Sequence, residues 1–210
     1  MIVVLAGVNG AGKSSIGGPA LRANGLDWYN PDEVARELHL QYPQKSIRDI
    51  NGDVWREGHK RLQQAVNNDT HFAFETTLGG RSITESLLDA IAAGRKVSVW
   101  YCGLNSPELH IQRVAERVKR GGHNIPEAMV RKRCQSSMRN LCRLAPGVQQ
   151  LAVYDNSAPL DENRKPGLRK LLHVTDKNIL HIEPSMPEWA KPVAAVCALH
   201  SAARSSDLPD

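Results

Sequence analysis

The stretch GVNGAGKSS, Gly7 to Ser15, follows directly on the apolar run IVVLA, Ile2 to Ala6. Gly7, four residues, then Gly12-Lys13-Ser14 fits the pattern G-x-x-x-x-G-K-[ST], in which a strand feeds a glycine-rich loop that opens a helix. Such a loop binds phosphate because successive backbone N–H groups and a helix N-terminus converge on the phosphate oxygens. Asn9, Gly10, Ala11, Gly12, Lys13, Ser14 and Ser15 are therefore expected to contact a nucleoside triphosphate, ATP or GTP. Lys13 adds a point charge, and the Ser14 hydroxyl is the expected ligand of Mg2+. Gly10 and Gly12 let the backbone approach the ligand with no Cβ in the way.

Behind this loop the sequence alternates between the two periodicities of strand and helix. A helix is expected over about 13–23, then a short strand ending at Asn30-Pro31 and a helix opening on Asp32. NGDVWREGHKRLQQAVNN reads as an amphipathic helix, HFAFETT as a buried strand ending on Glu75, SITESLLDAIAAG as a helix and KVSVWYCGL as a strand. SPELHIQRVAERVKR is a helix capped by Ser106 with Pro107 at its first position. The loop GGHNIP and a second helix, from Pro126 to about Arg143, follow it. VQQLAVYDNS is a further strand, and LRKLLHVTDKNILHI reads as two short strands across an Asp-Lys-Asn turn. Alternating β and α units predict an α/β fold of the P-loop NTPase, nucleotide-kinase-like class: a three-layer sandwich with a parallel sheet and a helical lid. Residues 1–183 form the expected catalytic domain, 105–145 its basic lid, and 184–210 a C-terminal tail rich in Ala, Ser and Pro with a frayed end.

Composition narrows the functional classes. The net charge is +5, yet Ile111 to Arg143 carries nine Lys/Arg against Glu116 and Glu127. A basic element concentrated around one cleft explains this better than a broad nucleic-acid surface, so nucleic acid is not the expected partner. No stretch approaches the roughly 20 apolar residues of a membrane helix. The N-terminal apolar run is too short for a secretory signal, and Cys102, Cys134, Cys142 and Cys197 lack metal-ligand spacing. Free thiols in the cytoplasm are expected.

In this architecture the active site lies at the carboxyl ends of the strands. Asp32, of a residue type that is ordinarily a carboxylate at neutral pH, can accept the proton of a hydroxyl attacking a γ-phosphate; the competing reading is a first-turn or capping aspartate. Glu75 closes an apolar strand, where a buried carboxylate needs a partner. It would hold a Mg2+-bound water or accept from a substrate alcohol, with Thr76 and Thr77 offering hydroxyls beside it. Arg113, Arg117 and Arg120 share a helix face, with Ile111, Val114, Ala115 and Val118 roughly opposite. These three arginines are the expected phosphate-neutralising side chains, whereas Lys119, Lys132, Arg139 and Arg143 read as solvated charge. Arg131 and Arg133 flank the apolar stripe of the second helix. His123 in GGHNIP is a candidate substrate clamp, and Asp155-Asn156-Ser157 would lie near the nucleotide base.

GVNGAGKSS, YNPDEVAREL, FAFETTLGGRS and RVAERVKRGGHNIPEAMVRKR, in this order, resemble the zeta toxin family of P-loop kinases over roughly residues 1 to 157. The resemblance implies phosphorylation of the sugar of UDP-N-acetylglucosamine. It sets Lys13 on the family's P-loop lysine, Asp32 on its catalytic base and Glu75 on a glutamate contacting the sugar nucleotide. Arg113 matches the first phosphate-contacting arginine, and alignment through Pro126 sets His123, or with a small gap Arg120, at the second. An antitoxin, where present, would be a separate chain. The residues alone also admit a kinase of an antibiotic, a metabolite alcohol or a polynucleotide 5′-hydroxyl, and a nucleotide-dependent switch that transfers nothing.

Overall fold

The computed structural model describes residues 1–23, 28–159 and 167–205, without the side chains at 15, 16, 20, 22, 204 and 205. Strand β1 (Ile2–Ala6) runs into the phosphate loop and helix α1 (Lys13–Ala23); α2 (Pro31–Gln41), α3 (Ile47–Asn67) and β2 (Phe72–Thr76) follow. Next come α4 (Arg81–Ala92), β3 (Val97–Gly103), α5 (Pro107–Lys119), α6 (Glu127–Leu144) and β4 (Gln150–Asp155). The chain then forms β5 (Arg169–Thr175), β6 (Asn178–Ile182) and α7 (Lys191–Ser205).

The six strands form one sheet in the order β2-β1-β3-β4-β5-β6. The first four are parallel, and β5 and β6 are antiparallel additions. The expected parallel sheet is thus real where the phosphate loop sits and is extended by a hairpin. That hairpin turns on Asp176 and Lys177, both at positive φ, the backbone that matches the twist of a two-residue turn. β1 has β2 on one side and β3 on the other. The chain therefore leaves β1 in one direction and returns in the other, which opens a crevice at its carboxyl end.

Every residue of β1 is buried, as a central strand covered on both faces requires. On one face Val4, Val99 and Val153 meet Val54 of α3, Leu87 of α4, Leu141 and Leu144 of α6 and Val193 of α7. On the other, Leu21 of α1 packs with Val3, Ala73 and Trp100. Leucine at 141 or 144 has no exposed surface; removing such a side chain typically costs about 2–5 kcal/mol.

Three expectations change. The second half of the 105–145 segment, α6, is built into the core through Val130, Leu141 and Leu144. The segment beyond residue 184 forms a 3-10 turn, Glu188–Ala190, and α7, whose Val193 and Cys197 are buried. Composition concealed this helix: alanine is the best helix former, and Val193, Ala194 and Cys197 share a face at helical spacing. The strand before Asn30 reduces, among the described residues, to a single bridge of Tyr29 to Phe74; residues 24–27 lie outside them, as do 206–210, where fraying was expected. All four cysteines are free. Among the described residues no helix is long and apolar enough to cross a membrane.

Candidate active site

The phosphate loop is a sharp structure built on glycine. Gly7, Gly10 and Gly12 have φ of 141°, 83° and 86°, the left-handed region that side chains with a Cβ seldom adopt. Helix α1 begins at Lys13, so its first N–H groups have no intrahelical acceptor and face the loop mouth with the positive end of the helix dipole. Lys13 is buried, its ammonium 3.5 Å from Glu75 Oε1 and 3.4 Å from the Val8 carbonyl oxygen. Ser14 Oγ donates to Glu75 Oε2 at 2.8 Å. A lysine, a hydroxyl and a carboxylate thus meet at one point. The side chain of Ser15 lies outside the described residues.

Glu75 reaches this point because β2 pairs in parallel with β1, setting Glu75 opposite Leu5 and Thr76 opposite Ala6. Both partners of its carboxylate are the compensation that burial demands. Thr76 Oγ1 accepts from the Leu78 N–H at 3.1 Å, so it shapes the turn that follows; Thr77 is half-buried beside it. Leu78 is fully buried at φ 53°, an uncommon backbone for a leucine. Asn140 of α6 holds it there, donating from Nδ2 to the Leu78 carbonyl at 2.8 Å and to the Gly80 carbonyl at 3.3 Å.

The backbone of Tyr29 bonds β2 on both sides: its N–H donates to Ala73 and its carbonyl accepts from Glu75. Residue 29 is therefore locked beside Glu75, and Asp32 follows three residues later at the same rim. The capping role belongs to Asn30, whose side chain accepts from the Asp32 N–H at 3.1 Å. This leaves the Asp32 carboxylate to Arg117, whose Nη1 lies 3.1 Å from Oδ2. Half of the Asp32 side chain, 53%, is exposed.

The lid arginines separate. Arg117 bridges Asp32 and the His123 carbonyl. Arg113 stands over Gly10 and donates to the Ala158 carbonyl at 3.4 Å. Arg120 is the C-cap of α5 and turns back to the Glu116 carbonyl on its own helix. His123 enters the site through its backbone oxygen, with an exposed side chain. The buried stripe of α5 runs through His110 and Val114, whereas Ala115 is exposed; the arginines at 113 and 117 flank that stripe.

Arg133 is a site residue to which the sequence reading gave no role. Its Nη1 donates to Asn9 Oδ1, in the phosphate loop, at 2.7 Å. Burial pushes its pKa below the usual arginine value and the nearby Asp32 carboxylate opposes that. The available signal was its place beside the buried stripe, three residues after Val130 and four before Ser137. Asn156, expected near a base, instead donates from Nδ2 to the Ala11 carbonyl at 2.9 Å. Asp155 is buried against Ser157 and Arg169.

The family model of zeta toxins matches residues 1–163. An uncharacterized protein of Haemophilus influenzae is 33% identical over 131 residues, 60% of this chain and 87% of that one. Among solved structures, the AvrRxo1-ORF1:AvrRxo1-ORF2 complex superposes with a TM-score of 0.65 at 14% identity, over 100% of this chain and 81% of that one. The same complex with ATP gives 0.64 at 15%, over 94% and 63%. The PezAT toxin-antitoxin system of Streptococcus pneumoniae gives 0.54 at 13%, over 95% and 83%. At these identities the structural likenesses speak for the fold.

Proposed function

The chain belongs to the zeta toxin family of ATP-dependent kinases, and from that premise we propose that it phosphorylates a hydroxyl of a nucleotide sugar such as UDP-N-acetylglucosamine. The observation that carries the reading is a chain of contacts along one rim. Lys13 and Ser14 bond Glu75, Glu75 is tied to residue 29, and Asp32 follows three residues later at the start of α2. A phosphate-gripping cluster followed along the rim by an acid that caps nothing supports this reading.

In this reading Asp32 takes the proton of the acceptor hydroxyl as its oxygen attacks the γ-phosphorus. The bond to the β,γ-bridging oxygen breaks and ADP leaves. Lys13, Arg113 and Arg133 neutralise the phosphate oxygens from the floor and the α5–α6 side. Arg117 holds the Asp32 carboxylate inward until the acceptor arrives. The end of α5 and the 120–126 loop close over the crevice and exclude water, so that transfer beats hydrolysis. Thr76 and Thr77 offer hydroxyls to the acceptor. Mg2+ fits the adjoining Ser14 hydroxyl and Glu75 carboxylate, two hard oxygen donors of the number it takes from protein, and when bound it would draw charge from the β- and γ-phosphate oxygens. A separate antitoxin chain is the proposed partner, in keeping with the toxin-antitoxin assembly of the pneumococcal neighbour.

Incubation of the purified protein with ATP, Mg2+ and a panel of sugar nucleotides, followed by mass spectrometry, tests the acceptor. One added phosphate on UDP-N-acetylglucosamine is expected. Phosphate appearing only on other alcohols would end the nucleotide-sugar proposal while leaving the kinase intact.

A further inference from the structure

Beneath the phosphate loop, three side chains from three separate elements converge on its carbonyl oxygens. His110 of α5 bonds the Asn9 carbonyl through Nδ1 at 2.8 Å. Cys102 of β3 donates from Sγ to the Ala11 carbonyl at 3.1 Å, and Asn156, just past β4, donates to the same oxygen at 2.9 Å. All three are buried, and each spends its donor on a loop carbonyl. A carbonyl can only accept, so His110 Nδ1 carries the proton. Burial, aided by the charges of Lys13 and Arg113, pushes the His110 pKa down to about 4, which keeps the ring neutral. Burial likewise pushes the Cys102 thiol up to about 12, which keeps it a donor.

The peptide bond gives these contacts their consequence. In a planar trans peptide the carbonyl of one residue and the N–H of the next point in opposite directions. Fixing the Asn9 and Ala11 carbonyls on these buried donors therefore turns the Gly10 and Gly12 N–H groups away from them. Gly10 and Gly12 are glycines at positive φ, the residue type with the most conformational freedom to lose. Left to itself, the loop would spend that freedom.

We propose that His110, Cys102 and Asn156 are positioning residues that set the phosphate loop in its ATP-binding shape by holding two of its peptide planes from below. The inference rests on the kinase reading for the identity of the ligand. It also explains why α5 carries its basic residues where it does: His110 ties the first turn of that helix to the loop, and Arg113 follows one turn later over Gly10.

Calorimetric titration of ATP with Mg2+ into the full chain tests this, with melting temperature recorded for each variant. His110→Phe, which keeps a ring and loses the donor, is expected to weaken ATP binding about 10- to 100-fold, the range for one lost buried hydrogen bond. His110→Asn, whose amide nitrogen reaches where Nδ1 was, should bind within about 3-fold of the parent by restoring that one bond. Asn156→Asp, nearly the same size but unable to donate, carries the same test should His110→Phe not fold, and is expected to lose affinity likewise. A purely structural role would lower the melting temperature and leave ATP affinity unmoved. Parent-like ATP affinity in His110→Phe or Asn156→Asp, or equal losses in His110→Asn and His110→Phe, overturns the inference alone. No ATP binding by the parent protein overturns the kinase reading and this inference together.

Discussion

The two walls of the crevice are built to different standards of rigidity. On the phosphate wall, Lys13 and Glu75 are buried against each other and the loop beneath is bonded by β3, α5 and the segment after β4. On the acceptor wall, Asp32 rides the first turn of α2, a helix without a single buried residue, and meets a mobile-length arginine at half exposure. Both walls are polar, so polarity does not separate them. The difference follows what each must do. Phosphate oxygens are best stabilised by dipoles already aligned before the charge moves, whereas in the proposed reaction an acceptor must enter and leave past Asp32, and an exposed ion pair is weak enough to exchange.

The comparison can be broken at either wall. The largest effect is expected at Asp32→Asn, which keeps shape and removes the proposed base: transfer should fall about 10²- to 10⁴-fold while ATP affinity stays parent-like. Single-turnover transfer beside calorimetry reads both, and retained transfer would deny the acceptor wall its chemistry. Next comes a paired test of the arginines. Arg133→Ala, which removes the contact to Asn9, should slow transfer about 10²-fold, and Arg120→Ala less than about 2-fold because that guanidinium serves its own helix; exposed pairs of this kind contribute little. Equal losses in the two variants would erase the distinction between wall and surface.

The remaining effect is on stability against pH. The folded-state pKa of His110 is depressed, to about 4 from an ordinary 6.5. The unfolded chain therefore binds the proton first, and the stability that neutral His110 contributes is full above about 6.5 and lost as pH falls toward 4. Chemical denaturation across that window should show a declining slope that His110→Asn flattens. An identical slope in both proteins would mean that the ring titrates freely and that the phosphate wall is looser than its contacts suggest.

What could be read from the residues was local. The phosphate loop, the strand before it and the start of the helix after it are specified within fifteen positions, and the cap at Ser106 lies three residues from the group it satisfies, whereas the cap read as Asp32 is Asn30. Glu75 stood out because a lone carboxylate ending an apolar strand must find a partner. The supports of the loop were hidden for the opposite reason. His110 and Arg133 meet Asn9 across 101 and 124 residues of chain, a distance over which no periodicity operates. His110 sat inside an apolar stripe that counting hydrophobic residues alone passes over. Arg120 shows the complementary failure: ideal helical spacing groups it with Arg113 and Arg117, but α5 stops at Lys119, and beyond a helix end the angular rule no longer aims a side chain.

The family match stops at residue 163, ahead of β5, β6 and α7. Those later elements nevertheless supply Leu171, Leu172, Val174 and Val193 to the same interior as β1. The family match and the packed interior thus end at different places along this chain. A fragment trimmed at residue 163 would leave β4 an open edge and lay bare the greasy flank of α6, inviting strand-to-strand clumping before any nucleotide could bind.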